Sequence, residues 1–418
     1  MLQNIFCAAH LTKKYQMKLL VMTILLVTYG TTLNLTAQIV APKFGDGLRI
    51  TAQDSSFTMK IGMRFQTLFL GENDLVDDDF GQATDTQARI FIRRARLKFD
   101  GYIFSPKLKY KTELALSNRD NGGGNSSTFS NAANIILDAY IEWNFYKNLS
   151  LRVGQTKLPS NRERVISSGN LQFVDRSRLN SRFTLDRDVG LILRHHHKLG
   201  ETFILKEAIA FSSGEGKNIT SGNIGGSALT FQLEALPFGK FQSKGDYIGS
   251  AIKRETTPKL AIQLVYDINR DAGRERGRGG SFIVNPTGDF IGRNLTNFHA
   301  DFIFKYQGLS FMAEYANTSA DGGPVVRNEE DNIIGTYYTG SGVNLNLGYM
   351  FDSNWELAVR WTDIRPDEEV ANDEMQYTLG LNKFIVGHKL KVQGDITYRS
   401  IDNSDDELFY RLQMDVHF

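Results

Sequence analysis

The sequence predicts an all-β chain, a 16-stranded antiparallel transmembrane β-barrel with short periplasmic turns, long outer loops and an inward-folded third outer loop. Three observations predict it. From residue 57 onward, segments alternate apolar and polar residues with period 2, the period of strands. The gaps between these segments are alternately short and long, as in barrels whose periplasmic turns are tight and whose outer loops are not. Mean hydropathy is −0.29, and after residue 38 no apolar run approaches the roughly 18 residues of a spanning helix. That excludes a helical membrane protein but not a barrel, whose strands are apolar only at every second residue.

Residues 1–38 read as a signal peptide. Met17-Lys18 precedes the apolar stretch LLVMTILLV, and Thr36-Ala37 offers a small-residue cleavage point. Met17 is an alternative start. The stretch is about ten residues long, half of what a spanning helix needs. Cys7 is the single cysteine and precedes the apolar stretch, so the mature chain has neither a disulfide nor a thiolate metal ligand. Losing Lys13, Lys14 and Lys18 with the leader takes the formal net charge from +1 to −2. Net charge therefore points to no polyanionic partner, and a nucleic-acid partner is not expected. Residues 39–56 form a short periplasmic lead-in, and 57–418 a single barrel domain.

The predicted strands fall at 57–70, 88–104, 106–117, 134–146, 149–156, 189–197, 201–212, 227–237, 258–269, 296–307, 309–318, 338–351, 353–363, 375–387, 388–399 and 408–418. Phe104-Ser-Pro106, Lys147-Asn148, Lys198–Gly200, Gln307-Gly308 and Asp352-Ser353 are tight turns, and the gap 238–257 breaks the short-long rhythm. In the last strand Tyr410, Leu412, Met414, Val416 and Phe418 alternate with Arg411, Gln413, Asp415 and His417. Aromatics at strand ends (Phe145, Tyr146, Tyr337, Tyr338, Tyr349, Phe351, Trp355, Trp361) suit interface girdles against outer-membrane lipid. The closing strand ends on Phe418, which resembles the signal read by the barrel assembly machinery. An open sheet in lipid would leave backbone N–H and C=O groups unpaired, so the sheet must close.

Closure assigns sides to the charges. In RIFIRRARLKFDG, Arg94, Arg96 and Lys98 alternate with Ala95, Leu97 and Phe99; in PKLKYKTELAL, Lys107, Lys109 and Lys111 alternate with Leu108, Tyr110 and Thr112. On lipid each Lys or Arg costs about 2–4 kcal/mol. Six of them, about 12–24 kcal/mol, exceed the roughly 5–15 kcal/mol stability of an ordinary domain. These six are placed on the lumen wall, as the strip of an anion path. Arg93 falls on the wrong face and marks a bulge or an interface position. The gap 157–188, the third outer loop, carries Lys157, Arg162, Arg164, Arg176, Arg178, Arg182 and Arg187 against Glu163, Asp175, Asp186 and Asp188. It also carries Val165, Ile166, Leu171, Phe173 and Val174, which favour folding into the barrel and narrowing it. Arginines there face the strip and attract anions. Their bidentate fork suits phosphate.

The segments FIRRARLKFDGYIFSPKLKYKTELAL, DAYIEWNF, GQTKLPSNRE, VDRS and RDVGL resemble the phosphate-selective porin O and P family. The resemblance covers the mature chain and is most specific across 88–191. It implies a sixteen-stranded, trimeric, anion-conducting channel in the outer membrane of a Gram-negative bacterium. It further implies that the third outer loop constricts the pore, with arginines and lysines along the anion path.

Other signals are weaker. On a strand His195, His196 and His197 point to opposite faces, so no metal site is expected there. Asp74, Asp77, Asp78 and Asp79 lack the ligand spacing of a calcium loop, and Arg274, Arg276 and Arg278 read as a solvated tip or a second anion-attracting patch. Gly-x-Ser-x-Gly, phosphate-loop and HExxH motifs are absent, so neither an enzyme nor a cofactor is expected. The alternatives are a non-selective or oligosaccharide-conducting porin that uses Tyr140 and Phe409, a barrel enzyme, and an adhesin.

Overall fold

The structure, a computed structural model, describes residues 38–40, 43–75, 86–121, 134–219 and 225–418. Most of the predicted leader, with Cys7 and Met17, and the acidic Asp77, Asp78 and Asp79 lie outside the described residues.

Sixteen strands form the wall: β3 (Phe57–Leu75), β4 (Gln87–Ile103), β5 (Leu108–Ala115), β6 (Ile136–Tyr146), β7 (Leu149–Lys157), β8 (Arg187–Leu199), β9 (Phe203–Ser212), β10 (Ala228–Leu236), β11 (Lys259–Ala272), β12 (Arg293–Tyr306), β13 (Leu309–Ala320), β16 (Gly340–Met350), β17 (Trp355–Pro366), β18 (Glu374–Phe384), β19 (Leu390–Ile401) and β20 (Asp406–His417). Each corresponds to one predicted strand. Neighbours pair antiparallel in chain order, and β20 returns to β3 from Asp406↔Leu75 to His417↔Arg64. Phe418 adds a last rung: it accepts from the Met63 amide at 2.7 Å and donates to the Met63 carbonyl at 3.0 Å. Two short strands precede the wall, β1 (Gln38–Val40) and β2 (Leu48–Thr51). The expected lead-in is thus partly sheet: β2 pairs with β3 from Leu48↔Ile61 to Thr51↔Thr58, just beyond the seam. A small hairpin, β14 (Val325–Arg327) and β15 (Ile333–Thr336), belongs to an outer loop.

The alternation holds. On β18, Tyr377, Leu379 and Leu381 face outward, while Gln376, Thr378 and Asn382 are buried inside. Phe145, Tyr146, Tyr349, Phe351 and Trp355 are exposed beside periplasmic turns, where a girdle belongs. Tyr337 and Tyr338 depart from that expectation. Tyr337 is buried, its hydroxyl donating to the Ala272 carbonyl at 2.7 Å. Tyr338 packs on Phe183, with ring centroids 5.4 Å apart. Strand-end position alone does not separate an outer girdle from an inward-folded loop. The turn Gln307-Gly308 has positive φ at both residues (46° and 92°), the two-residue hairpin geometry that matches strand twist.

Arg93 is the extra residue of a bulge: Gln66 pairs with Arg94 and Thr67 with Ile92. The bulge turns Arg93 inward, so consecutive arginines share the lumen face.

Two connections fill the lumen. The outer one, 158–186, buries Ile166, Leu171, Phe173, Val174, Leu179 and Phe183 against the inner wall, as its apolar residues predicted. Wall glycines make room for it. A Cβ on Gly348 would lie 2.0 Å from Gln172 Nε2, and one on Gly380 3.1 Å from the Phe173 ring. The other, 237–258, enters from the periplasmic side, which explains the broken short-long rhythm. Lys305 on β12 is buried and donates to the carbonyls of Gly245 (2.9 Å), Ile248 (2.6 Å) and Ser250 (2.8 Å). The two inserts meet where the Gly249 amide donates to the Asn170 carbonyl at 2.9 Å.

Lys305→Met leaves three buried carbonyls without their donor, about 1–3 kcal/mol for each group left unsatisfied. Segment 237–258 then becomes cleavable by added protease while the barrel keeps its heat-modifiable gel mobility. A segment as resistant as wild type removes Lys305 as its clasp.

Candidate functional site: a cation-lined passage

The outer insert leaves the wall at Lys157 and rejoins it at Arg187, which are Cα partners on β7 and β8. Its first turn is helix α1 (Arg162–Val165) and its second α2 (Arg178–Arg182), the latter capped by Ser177 Oγ accepting from the Asn180 amide. Acidic side chains of the far wall hold it. Arg162 Nη1 meets Glu234 at 2.6 Å and Nε meets Asp301 at 3.1 Å, with all three side chains fully buried. Glu163 accepts from Arg360 of β17 at 2.5 Å and from the Ser177 amide and hydroxyl at 2.8 and 2.7 Å. Glu374 of β18 takes Arg178 and Arg182, the latter at 3.3 Å.

At its far end Asp175 crosses to the strip. It accepts from Arg93 at 3.0 and 3.1 Å and from Arg94 at 2.8 Å. Burial alone would raise this carboxyl, but Arg93 and Arg94 overcome it and hold it well below the usual carboxylate range. Arg94 also donates to Gln66 at 2.8 Å.

Between insert and strip lies a cavity of about 460 Å³ lined by Arg93, Arg94, Arg96, Arg119, Arg164, Arg176, Arg178, Arg187, Arg411 and Lys217, with Asp120, Asp175 and Asp186 the acids. It opens toward the outside into a space bounded by Arg93, Arg119, Arg178, Arg399 and Arg411, with Glu72, Asp74, Asp175 and Glu407 the acids. Toward the periplasm it shares Arg96 and Arg187 with a cavity lined by Lys111, Arg152, Lys157 and Arg194. The mouth beyond is lined by Lys98, Lys109 and Lys111 with Asp100 and Glu142 on one side, and by Lys107, Lys109, Lys206 and Lys240 with Glu142, Glu207 and Glu234 on the other.

Most of the predicted residues line these cavities, but Arg162 and Arg182 do not. Arg162 does not line the passage: it is fully buried and fastens the insert. Arg182 is held by Glu374 and lies over the Tyr338 ring, 5.1 Å from its centroid. Lys157 borders the passage but spends its ammonium on backbone carbonyls, that of Arg164 at 2.7 Å. Arg96 pairs with Asp120 and Glu113, Lys111 with Glu113 and Asp138, Arg187 with Asp138, and Lys98 with Asp100. Arg164 pairs with Asp186. Lys107 and Lys109 stand exposed at the mouth. Arg176 differs, donating to the carbonyls of Glu163 (2.9 Å) and Ile166 (2.8 Å) rather than to a carboxylate. Burial, then the charges of Arg164 and Arg94, push its guanidinium well below the ordinary arginine value. A guanidinium keeps its proton in proteins. Loss of water comes first and the neighbouring arginines add to it, and an anion beside this group would relieve the second part.

Sequence reasoning missed Arg119, Arg152, Arg194 and Lys217. Arg152 and Arg194 carry the same inward parity as Arg94, so strand alternation held the signal. Arg119 and Lys217 sit outside the strands and left none. Arg278 is a further correction. It is neither a solvated tip nor an anion patch but a buried clip, 3.1 Å from Asp188 and 2.9 Å from Asp267.

A closed barrel narrowed by an inward outer loop is the architecture of porins, channels of the Gram-negative outer membrane. The model of the phosphate-selective porin O and P family matches residues 61–407, and the chain belongs to that family. It is 26% identical over 299 residues to an uncharacterized protein of Aquifex aeolicus, covering 67% of each chain. Solved structures share the fold. A loop L8 deletion mutant of OmpT, an outer membrane protein of Vibrio cholerae, matches with TM-score 0.54 and 11% identity over 87% of this chain and 100% of that one. The outer membrane channel DcaP of Acinetobacter baumannii matches with TM-score 0.52 and 13% identity over 88% and 99%. An anion-selective porin from Comamonas acidovorans matches with TM-score 0.52 and 10% identity over 87% and 100%.

Breaking a buried ion pair by removing one partner costs about 3–5 kcal/mol. Arg162→Met should therefore free the insert from Glu234 and Asp301. Single-channel recordings should show larger and noisier conductance, and a wild-type current would place the constriction elsewhere.

Proposed function

We propose that the protein is a passive diffusion channel selective for small anions, with phosphate and short polyphosphates the favoured solutes. The supporting observation is the succession of cavities rich in cations, with Arg93, Arg94, Arg96, Arg164, Arg176 and Arg187 around the one between insert and strip and lysines at the mouth. No bond is made or broken. An anion enters past the outer loops, exchanges water for guanidinium donors at the constriction, and moves on along Lys111, Lys109 and Lys107. Most of these cations already share a carboxylate, so each site is partial and release stays fast. Arginine forks match phosphate oxygens in pairs.

The saccharide-conducting alternative rests on aromatic platforms. Arg152 lies over the Tyr140 ring, 4.0 Å from its centroid. Phe409 packs beside Leu68, Leu70 and Val174. Each ring already has an arginine over it, Arg399 standing 5.1 Å from the Phe409 centroid, which favours the anion reading. Assembly as a homotrimer and delivery through the barrel assembly machinery by way of Phe418 belong to the same reading.

Planar-bilayer recordings in a salt gradient test it. Wild-type protein should give an anion-selective reversal potential and a current blocked by added phosphate, but not by oligosaccharide. Replacing Lys107, Lys109 and Lys111 with Glu should move the reversal potential toward cations. Unchanged potentials would take those lysines out of the path, and block by oligosaccharide alone would favour the alternative.

A further inference from the structure

Consecutive histidines on a strand diverge, but alternate ones do not. His195 and His197 continue the outward row of Val189, Leu191 and Leu193 on β8, whereas Arg194 and His196 take the opposite parity. On β9, Glu207 is the Cα partner of His195 and lies in the outward row with Ile209 and Phe211. His195 Nδ1 is 3.2 Å from one Glu207 oxygen and His197 Nδ1 is 3.4 Å from the other. The two imidazoles stack with centroids 5.2 Å apart. The three ligand atoms all lie within 4.8 Å of one another.

We propose that His195, His197 and Glu207 form a binding site for a divalent transition-metal ion, Zn²⁺ in chemical class, on the outer wall beside the periplasmic turn 200–202. Zn–N bonds of about 2.0–2.1 Å set tetrahedral ligand separations of about 3.3 Å; His195 Nδ1 and one Glu207 oxygen, 3.2 Å apart, match that edge, and the other oxygen lies 3.4 Å from His197 Nδ1. Two nitrogens and one carboxylate suit a borderline ion. Calcium and magnesium ask for oxygen ligands instead. Three protein ligands leave a fourth position for water. The surroundings argue the same way. His197 Nδ1 makes no hydrogen bond among the described residues, although a carboxylate oxygen faces it. A neutral imidazole nitrogen and a carboxylate oxygen are both acceptors, and only a proton or a cation between them makes the contact favourable. Glu207 is moreover a carboxylate in an otherwise apolar outward row, where a bound cation offsets its charge.

The test uses full-length protein purified in detergent without a polyhistidine tag, dialysed against Zn²⁺ alone. Wild type should bind one ion per chain. His195→Ala, His197→Ala and Glu207→Gln should each weaken binding by at least about tenfold, while His196→Ala binds as wild type does. Co²⁺ in place of Zn²⁺ should give the visible absorption of a four-coordinate site. Absence of stoichiometric binding, or an equal loss with His196→Ala, would overturn the proposal. Heat-modifiable gel mobility verifies that each variant is folded. Anion permeation is not the readout, so the channel reading stands or falls separately.

Discussion

The whole structure depends on one constraint: in lipid, the backbone N–H and C=O groups of a strand must be paired within the sheet. The seam between β20 and β3, finished by Phe418 on Met63, meets it. Once the sheet closes, every strand has one lipid face and one inner face, and the cations of β4 and β5 can only be inside. β2 extends the rule by pairing with β3 below the seam, where β20 has ended.

Closure creates an interior, but charge decides how it is filled. The lumen is polarised. Glu234, Asp301, Glu314, Glu356, Glu374 and Asp395 outnumber Lys305, Arg360 and Lys391 on the β10–β19 side, and Arg94, Arg96, Lys111, Arg152 and Arg194 outnumber Glu113, Asp138 and Glu142 on β4–β8. The outer insert carries arginines and lies on the acidic side, where Glu234, Asp301 and Glu374 receive Arg162, Arg178 and Arg182. Its exposed backbone is also used. The amide of Val174 donates to Asp395 at 3.2 Å, and Asn382 donates to the carbonyl of Gln172 at 2.7 Å. Buried ion pairs contribute little net stability, because desolvation offsets attraction. Here they fix position. By docking on the acidic half, the insert leaves cavities along the cationic half.

This division explains what was legible in the sequence. Strand number, order and side follow from a period of two, which is local, and all sixteen strands were readable. The inward fold of 158–186 was readable too, since Ile166, Leu171, Phe173 and Val174 would not stay in water. Pairing was not readable. Arg162 and Asp301 are 139 residues apart, and Arg178 and Glu374 are 196 apart. Parity says that an arginine points inward but not whether an acid waits there. Hence Arg162 and Arg176 look alike in sequence, yet one is a fastener and the other borders open space. The insert 237–258 was visible only as a broken rhythm, because Lys305 on another strand decides its conformation.

The bulge at Arg93 links backbone position to the local charge. On a regular strand Arg93 and Arg94 would face opposite sides; the extra residue brings both to Asp175. Arg94 also lies 3.9 Å from Asp120, yet the cavity around this pair is lined by more cations than acids, so a positive excess remains. Arg96 above Asp120 and Glu113 and Arg187 beside Asp138 repeat the arrangement with closer balance. Cations already tied to partners cannot collapse around a passing anion as a complete ligand set. They offer it potential and a few donors, and keep the rest. In the anion-channel reading proposed above, that is the condition for attraction without capture, and the inner acids serve it as much as the arginines do.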